Sequence, residues 1–134
     1  MMKKLAALGL AAAMIASPST ASSYGVELRG HVAVSCHVTG QAPVVNVAGG
    51  VADLGVLREF CNNAAGYNLY LDYAPQLAGA VVTVDGTSIQ LGSEGTAALA
   101  AEAGPAMRSR SVQIDLSEVE DASNLAIAFR IVPR

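Results

Sequence analysis

The chain has 134 residues, which suits one globular domain better than two. Apolar residues make up 52% of the sequence and charged residues only 14%, a composition that excludes a disordered chain. Eight basic residues face eleven acidic ones without a basic cluster, which argues against nucleic acid as a partner. Because the sequence contains no complete catalytic or metal-binding motif, we expect neither an enzyme nor a cofactor.

The first residues follow the three-part pattern of a secretory signal peptide. Lys3 and Lys4 give a positive start, an apolar run covers 5–16, and small polar residues cover 17–23. An apolar run of about twelve residues is too short to span a bilayer, which needs about 20, so a membrane anchor is the weaker alternative. We therefore predict a signal peptide over 1–21 and a single exported domain over 22–134.

Cleavage after Ala21 fits the pattern best, and cleavage after Ser22 or Ser23 fits it nearly as well. Both lysines leave with the signal. The remaining chain carries six arginines against eleven acidic residues, a formal charge of −5. Such a domain is a poor candidate for binding nucleic acid or anionic lipid, and after processing it has no integral membrane segment.

Cys36 and Cys61 are the only cysteines of the sequence. In an oxidising export compartment, a single pair most simply forms one disulfide. A metal or redox pair is the alternative, but there is no CxxC spacing, and only His31 and His37 are available as further ligands. We predict a structural disulfide between the two cysteines.

Apolar and polar residues alternate without interruption from Val26 to Val38. Period two places one set of side chains on each face of an extended chain, so this run predicts a long, half-buried strand. The apolar face opens with Val26, Leu28, Gly30 and Val32.

Further strands are predicted along the rest of the chain, with a turn at 62–66. They are expected near 54–60, 67–73, 80–84, 87–91, 109–116 and 125–131. Asp85 and Gly86 stand between two of these runs and predict a hairpin closed by a two-residue turn, in which both residues take a positive φ. About seven short strands separated by turns predict an antiparallel β-sandwich.

Three features allow more than one interpretation. Residues 96–103 slightly favour a short helix, closed by a turn near 104, over a poor strand. Arg108 and Arg110 share one face of their strand, where a solubilising surface is favoured over a ligand clamp. The tyrosines at 67, 70 and 73 are expected to pack on both faces of their strand rather than to form a sugar-stacking platform.

Two motifs resemble bacterial fimbrial subunits of the spore coat U or archaic chaperone–usher type. They are V-S-C-H-V at 34–38 and L-G-V-L-R-E-F-C-N-N-A-A-G-Y-N-L-Y-L at 54–71. In that family, an early strand cysteine pairs with one just before a Gly/Tyr-led strand, and Cys36, Cys61 and Tyr67 match these places. The segment 25–36 is also similar to the first strand of pilins.

The resemblance implies an incomplete immunoglobulin-like, pilin-like sandwich with a hydrophobic groove. A periplasmic chaperone would fill the groove first, and at an outer-membrane usher the N-terminal strand of another pilin-like subunit would replace it. Val26, Leu28, Gly30 and Val32 would be the donor strand, and the product would be an adhesive surface fibre or coat. Two alternatives stay open: this run is the first strand of a closed sandwich, and the protein is a self-complete secreted module that binds carbohydrate or protein.

Overall fold

The computed structural model describes residues 24–40, 47–48, 50–120 and 125–134. The expected signal peptide over 1–21 lies outside these ranges. The chain divides into two units, Met1–His31 and Val32–Arg134. Within the described ranges, no helix is both long and apolar enough to cross a membrane.

The unit from Val32 onward is a sandwich of two antiparallel sheets, as the alternating pattern predicted. The strands are β1 (Cys36–Gly40), β2 (Val47–Ala48), β3 (Val51–Cys61), β4 (Tyr67–Tyr73), β5 (Val81–Val84), β6 (Thr87–Gln90), β7 (Thr96–Glu102), β8 (Ala106–Asp115) and β9 (Ile127–Pro133). One sheet has the order β1-β3-β8-β5-β6, with β2 also paired to β3, and the other has the order β7-β4-β9. A 3₁₀ helix, Pro75–Leu77, follows β4.

The core lies between the inner faces of the two sheets. In β4, four alternate side chains are buried, while the residues between them are half-buried. This alternation is what period two produces in a strand with one face on the core. The buried apolar side chains are Ala52, Leu54, Leu57, Leu69, Leu71, Tyr73, Leu77, Ala80, Val82, Val84, Leu91, Leu99, Val112, Ile114 and Leu116.

Strand β3 is longer than the strand predicted near 54–60. A β-bulge shifts its register with β8 and lets the pairing continue on both sides of the bulge. Pairing with β8 shifts between Asp53 and Gly55, and Gly55 takes a φ of 78°. The extra residue brings both Leu54 and Leu57 to the core face and leaves Val56 exposed. A bulge of this kind interrupts strict alternation, which explains why the pattern suggested only a short strand.

The hairpin at Asp85 and Gly86 is confirmed. Val84 pairs with Thr87 across a two-residue turn, and the turn residues have φ values of 47° and 86°. The Asp85 carboxylate also accepts a hydrogen bond from the backbone N–H of Ser111, at 2.9 Å, which attaches the turn to β8.

The prediction of a helix over 96–103 is wrong, because this segment forms strand β7. It pairs antiparallel with β4 from Tyr67 to Asp72, and Leu99 is buried in the core. Alanine favours a helix locally, but its small side chain is also accommodated in a sheet, and a seven-residue helix is marginal by itself. With β7 and the two-residue β2, the described ranges hold nine strands rather than about seven.

The long strand predicted over 26–38 is also wrong for most of its length. Only Cys36–Gly40 forms strand β1, and residues 24–35 belong to no strand. Val26, Leu28 and Val32 are 79%, 91% and 80% exposed. Alternation predicts an extended chain with an apolar face, but a strand also needs a partner strand, and residues 24–35 are paired with none of the described strands.

Candidate functional site

Strand β9 forms an incompletely covered edge of the sandwich. It pairs with β4 along one side, and along its other side it pairs with no strand among the described residues. Ile127, Phe129 and Ile131 of β9 pack against the core but are only half-buried. The β4 residues that pair with them are all buried, so side chains become more exposed toward the side of β9 that faces away from β4.

Strand β1, at the edge of the other sheet, contacts β9. Its core-facing Val38 is likewise half-buried against the core. We call the surface formed by Val38, Ile127, Phe129 and Ile131 the open edge. Here half-buried core side chains lie beside the edge of β9 that pairs with no described strand.

The predicted disulfide is confirmed. Cys36 and Cys61 are bonded and lie directly opposite each other in the pairing of β1 with β3. The bond therefore fixes the start of β1, one of the two strands of the open edge, to the central strand of its sheet. Within the described residues, no group of three His, Cys, Asp or Glu side chains is arranged to hold a metal ion.

The residue after the disulfide, Asn62, holds the backbone that precedes β1. Its side-chain amide donates to the carbonyl of Ala33 at 2.9 Å, and its Oδ1 accepts from the backbone N–H of Ser35 at 2.7 Å. The backbone N–H of Asn62 also donates to the carbonyl of Ser35, at 3.2 Å. An amide side chain that both donates and accepts imitates a peptide group, so Asn62 holds residues 33–35 much as a neighbouring strand would.

Asn63 makes the corresponding contact with the end of β9. Its Nδ2 donates to the carbonyls of Gly66 and Arg134, at 2.8 and 2.9 Å, and the backbone N–H of Arg134 donates to the carbonyl of Gly66. The connection from β3 to β4 therefore holds the chain at the start of β1 and at the end of β9. The sequence predicted a turn at 62–66 but gave no signal for these contacts.

A buried group of charges lies at the inner face near this connection. The Glu59 carboxylate, from β3, accepts from the hydroxyl of Tyr67 and from Nε of Arg110, both at 2.7 Å. Arg110 also pairs with Glu102 of the opposite sheet, and Glu102 pairs with Arg108 at 2.8 Å. Only 12% of the Arg110 side chain is exposed, so the favoured surface interpretation is wrong for this residue.

The charges around this group shift two pKa values. Burial and the hydrogen bond to Glu59 raise the pKa of Tyr67 to about 12. For Arg110, burial acts to lower the pKa, but the adjacent carboxylates of Glu59 and Glu102 outweigh it and raise the pKa further. The guanidinium therefore stays charged and links the two sheets.

The outer face of β1, β3 and β8 carries a hollow of about 470 Å³. It is lined by His37, Thr39, Arg58, Glu59, Phe60, Met107, Arg108 and Ser109. The rings of His37 and Phe60 lie 5.1 Å apart, and Met107 is 80% exposed. We call this feature the outer hollow.

Tyr67 and Tyr73 lie in the core, as expected from the alternation, whereas Tyr70 lies on the outer face of β4. The guanidinium of Arg130 covers the Tyr70 ring at 4.9 Å and pairs with Asp72 at 2.9 Å. Packing therefore accounts for all three tyrosines.

Among family models, curated proteins and solved structures, none matches this chain. The similarity to fimbrial subunits thus stays a hypothesis from the motifs at 34–38 and 54–71.

Proposed function

We propose that the protein is an exported, pilin-like structural subunit that joins its partners by β-strand donation. The observation that carries this proposal is the exposed alternating run of Val26, Leu28 and Val32, which belongs to none of the described strands. Burial of each such side chain contributes roughly 1.5–3 kcal/mol, so a partner that covered the run would gain several kilocalories per mole. Gly30 within the run permits a close backbone approach.

The open edge has the properties that an acceptor of such a strand needs. On the side away from β4, β9 pairs with none of the described strands, and Val38, Phe129 and Ile131 offer partly open apolar contacts. An added strand would form a ladder with β9 and place every second side chain against the core. An uncovered apolar edge otherwise promotes uncontrolled association, so a protein of this kind needs an occupant for it.

The partners proposed from the motif resemblance follow the same chemistry. In the periplasm a chaperone would cover the open edge, and at an outer-membrane usher the N-terminal strand of another pilin-like subunit would replace it. The product would be a cell-surface fibre or coat.

A second candidate is a self-complete secreted module that binds carbohydrate or protein. The outer hollow favours it, since exposed Met107 and half-buried Phe60 beside Arg58 combine apolar and charged contacts. In that case, Met107→Asp would abolish ligand binding, and no strand-linked polymer would form.

Leu28→Asp tests the proposal, with His31→Asp, on the polar face of the same run, as the matched control. We expect wild-type and control proteins from the cell surface to give ladders that resist detergent and collapse on heating in denaturant. Leu28→Asp should give a folded monomer without ladders, because an aspartate cannot be buried unpaired in an apolar groove. Ladders from Leu28→Asp, or their absence from the wild type, would contradict strand donation.

A further inference from the structure

We infer that the outer hollow is a binding site for a carboxylated sugar, such as a uronic acid unit of an acidic polysaccharide. The inference goes beyond strand donation and does not depend on it, because the hollow lies on the outer face of its sheet and not at the open edge. It is carried by the order of the side chains across β1, β3 and β8 and by the surroundings of Arg58.

Strand pairing arranges the outward side chains of the hollow in two rows. Directly opposite residues of antiparallel strands place their side chains on the same face. The rows across β1, β3 and β8 are His37, Phe60 and Met107, and Thr39, Arg58 and Ser109. They are two residues apart along each strand, which is roughly 7 Å, so one six-membered ring with a carboxyl substituent can contact both.

The first row is an apolar platform. The half-buried ring of Phe60 lies 5.1 Å from the ring of His37, at 31° to it, and Met107 is 80% exposed on its other side. The face of an aromatic ring is electron-rich and attracts the C–H groups that project from one side of a sugar ring. The flexible thioether of Met107 adapts to an irregular partner.

The second row supplies charge and hydroxyl groups. Arg58 is exposed, and Thr39 and Ser109 pair with it from the two neighbouring strands. A guanidinium group can donate two parallel hydrogen bonds to a carboxylate. Each hydroxyl both donates and accepts hydrogen bonds, which suits the hydroxyl groups of a sugar.

The surroundings of Arg58 favour an anionic ligand. The other described arginines all bind a side-chain oxygen of a carboxylate or an amide: Arg29, Arg108, Arg110, Arg130 and Arg134. Among the residues that the structure describes, none forms an ion pair or a side-chain hydrogen bond with Arg58. Glu59 also lines the hollow, but its buried carboxylate binds Tyr67 and Arg110. The charge of Arg58 is thus locally unbalanced in a domain that is acidic as a whole.

The size of the hollow fits a sugar unit, since its volume of about 470 Å³ lies within the range of small-molecule sites, roughly 300–1,000 Å³. A simple anion would bind Arg58 and leave the platform unused. An acidic peptide would bring the same charge without a ring. The carboxylated sugar is the ligand that uses both rows.

The test follows the backbone amide signals of the full mature protein, as purified monomer, by NMR during titration. Methyl glucuronide is the carboxylated probe, methyl glucoside has the same ring without charge, and N-acetylglutamate amide has the charge without the ring. We expect methyl glucuronide to shift the signals of residues 37, 39, 58–60 and 107–109 saturably, with a Kd on the order of 1 mM for a ligand of this size.

The two other probes separate the contributions of charge and ring. Methyl glucoside should bind at least about tenfold more weakly, since it loses a hydrogen bond to a charged group. N-acetylglutamate amide should bind more weakly because it lacks the ring. Equal binding of either probe would overturn the assignment, and so would a wild-type protein that binds none of the three.

Three variants test the residues. Arg58→Gln should raise the Kd for methyl glucuronide at least about tenfold without changing thermal unfolding, because the side chain is exposed. Ser109→Asp, which places a carboxylate opposite Arg58, should have the same effect. Gln113→Asp is the matched control, since Gln113 is exposed on the same face of β8 but lies four residues away, roughly 13 Å, outside the hollow.

The control should bind like wild type. Wild-type affinity in Arg58→Gln or in Ser109→Asp would contradict the inference, and so would an equal loss in Gln113→Asp. Failure of strand donation would show separately, as a wild-type protein without ladders, because the titration is carried out on the monomer.

Discussion

Glu59 is a carboxylate inside an otherwise apolar sandwich, and its neighbours explain how it stays there. Tyr67 and Arg110 each donate to one of its oxygens, and within the described residues no buried side-chain nitrogen or oxygen lacks a partner. Desolvation of a charge is offset only when such contacts are complete. The hydroxyl of Tyr67 therefore stabilises the fold as a hydrogen-bond donor to Glu59 and not merely through packing.

Tyr67→Phe should lower the free energy of unfolding at pH 7 by about 1.5–3 kcal/mol, the range for a hydrogen bond to a charged group. It should also flatten the alkaline limb of the stability curve. The pKa of Tyr67 rises from 10.0 to about 12 on folding, so its contribution is complete below pH 10 and is lost as the pH rises from 10 to 12.

Urea denaturation at pH 7 and at several values between pH 10 and 12 measures both effects. Tyr70→Phe, on the outer face of the same strand, is the matched control and should unfold like wild type. If Tyr67→Phe retains the wild-type slope above pH 10, the pKa of another group is responsible for it.

At the scale of single residues, the sequence predicted which face of a strand a side chain lies on but not how deeply that side chain is buried. Alternation correctly placed Arg108 and Arg110 on one side of β8. It did not show that Arg110 is buried, because its partner Glu59 lies 51 residues away along the chain and its partner Glu102 belongs to the opposite sheet. Contacts of that kind depend on the stacking of the sheets and leave no local pattern.

At the scale of elements, the strands with a conventional alternation or turn were predictable, as β4 and the hairpin at Asp85 and Gly86 illustrate. Two elements were not. β7 is a strand because β4 presents an edge to it, which overrides the helical preference of its alanines. Residues 26–35 have the strongest alternation of the chain and no strand pairing among the described residues, since a pattern specifies a face but not the partner that covers it.

The connection from β3 to β4, which carries the chain from one sheet to the other, depends on Gly66. This residue has a φ of 85°, and a Cβ atom here would collide with the carbonyl oxygen of Glu102. Gly66→Ala should therefore lower stability by at least about 2 kcal/mol, the sum of left-handed strain and the displacement of β7.

Gly104→Ala is the control for this prediction, because nothing lies within 4 Å of the position of its Cβ. We expect it to change stability by less than about 0.5 kcal/mol in the same thermal or urea unfolding experiment. Equal stability of the two variants would mean that the connection adjusts without cost.

At the scale of the whole molecule, covalent and polar links concentrate at one end of the sandwich. The disulfide, Asn62, Asn63 and Gly66 all lie where β1 starts and β9 ends. The open edge begins in this region. It lies between β1 and β9, and both strands are anchored there. The end of the open edge nearest the disulfide is thereby fixed.

The disulfide should contribute about 2–5 kcal/mol to the stability of the domain, as native disulfides of small exported domains do. The double variant Cys36→Ala/Cys61→Ala should lose this amount in urea denaturation, and wild type treated with a reductant should match it. The reductant should leave the double variant unchanged. A double variant as stable as the oxidised protein would show that β1 stays in place through its backbone pairing alone.

The buried charges also restrict how this sequence can evolve. Loss of Arg110 alone would leave Glu59 charged in the interior, and loss of a single partner in a buried ion pair typically costs about 3–5 kcal/mol. Replacement of the whole group by apolar residues of similar volume is often neutral. Single substitutions at 59, 102 or 110 therefore lead through destabilised intermediates, and these positions should co-vary when lineages diverge.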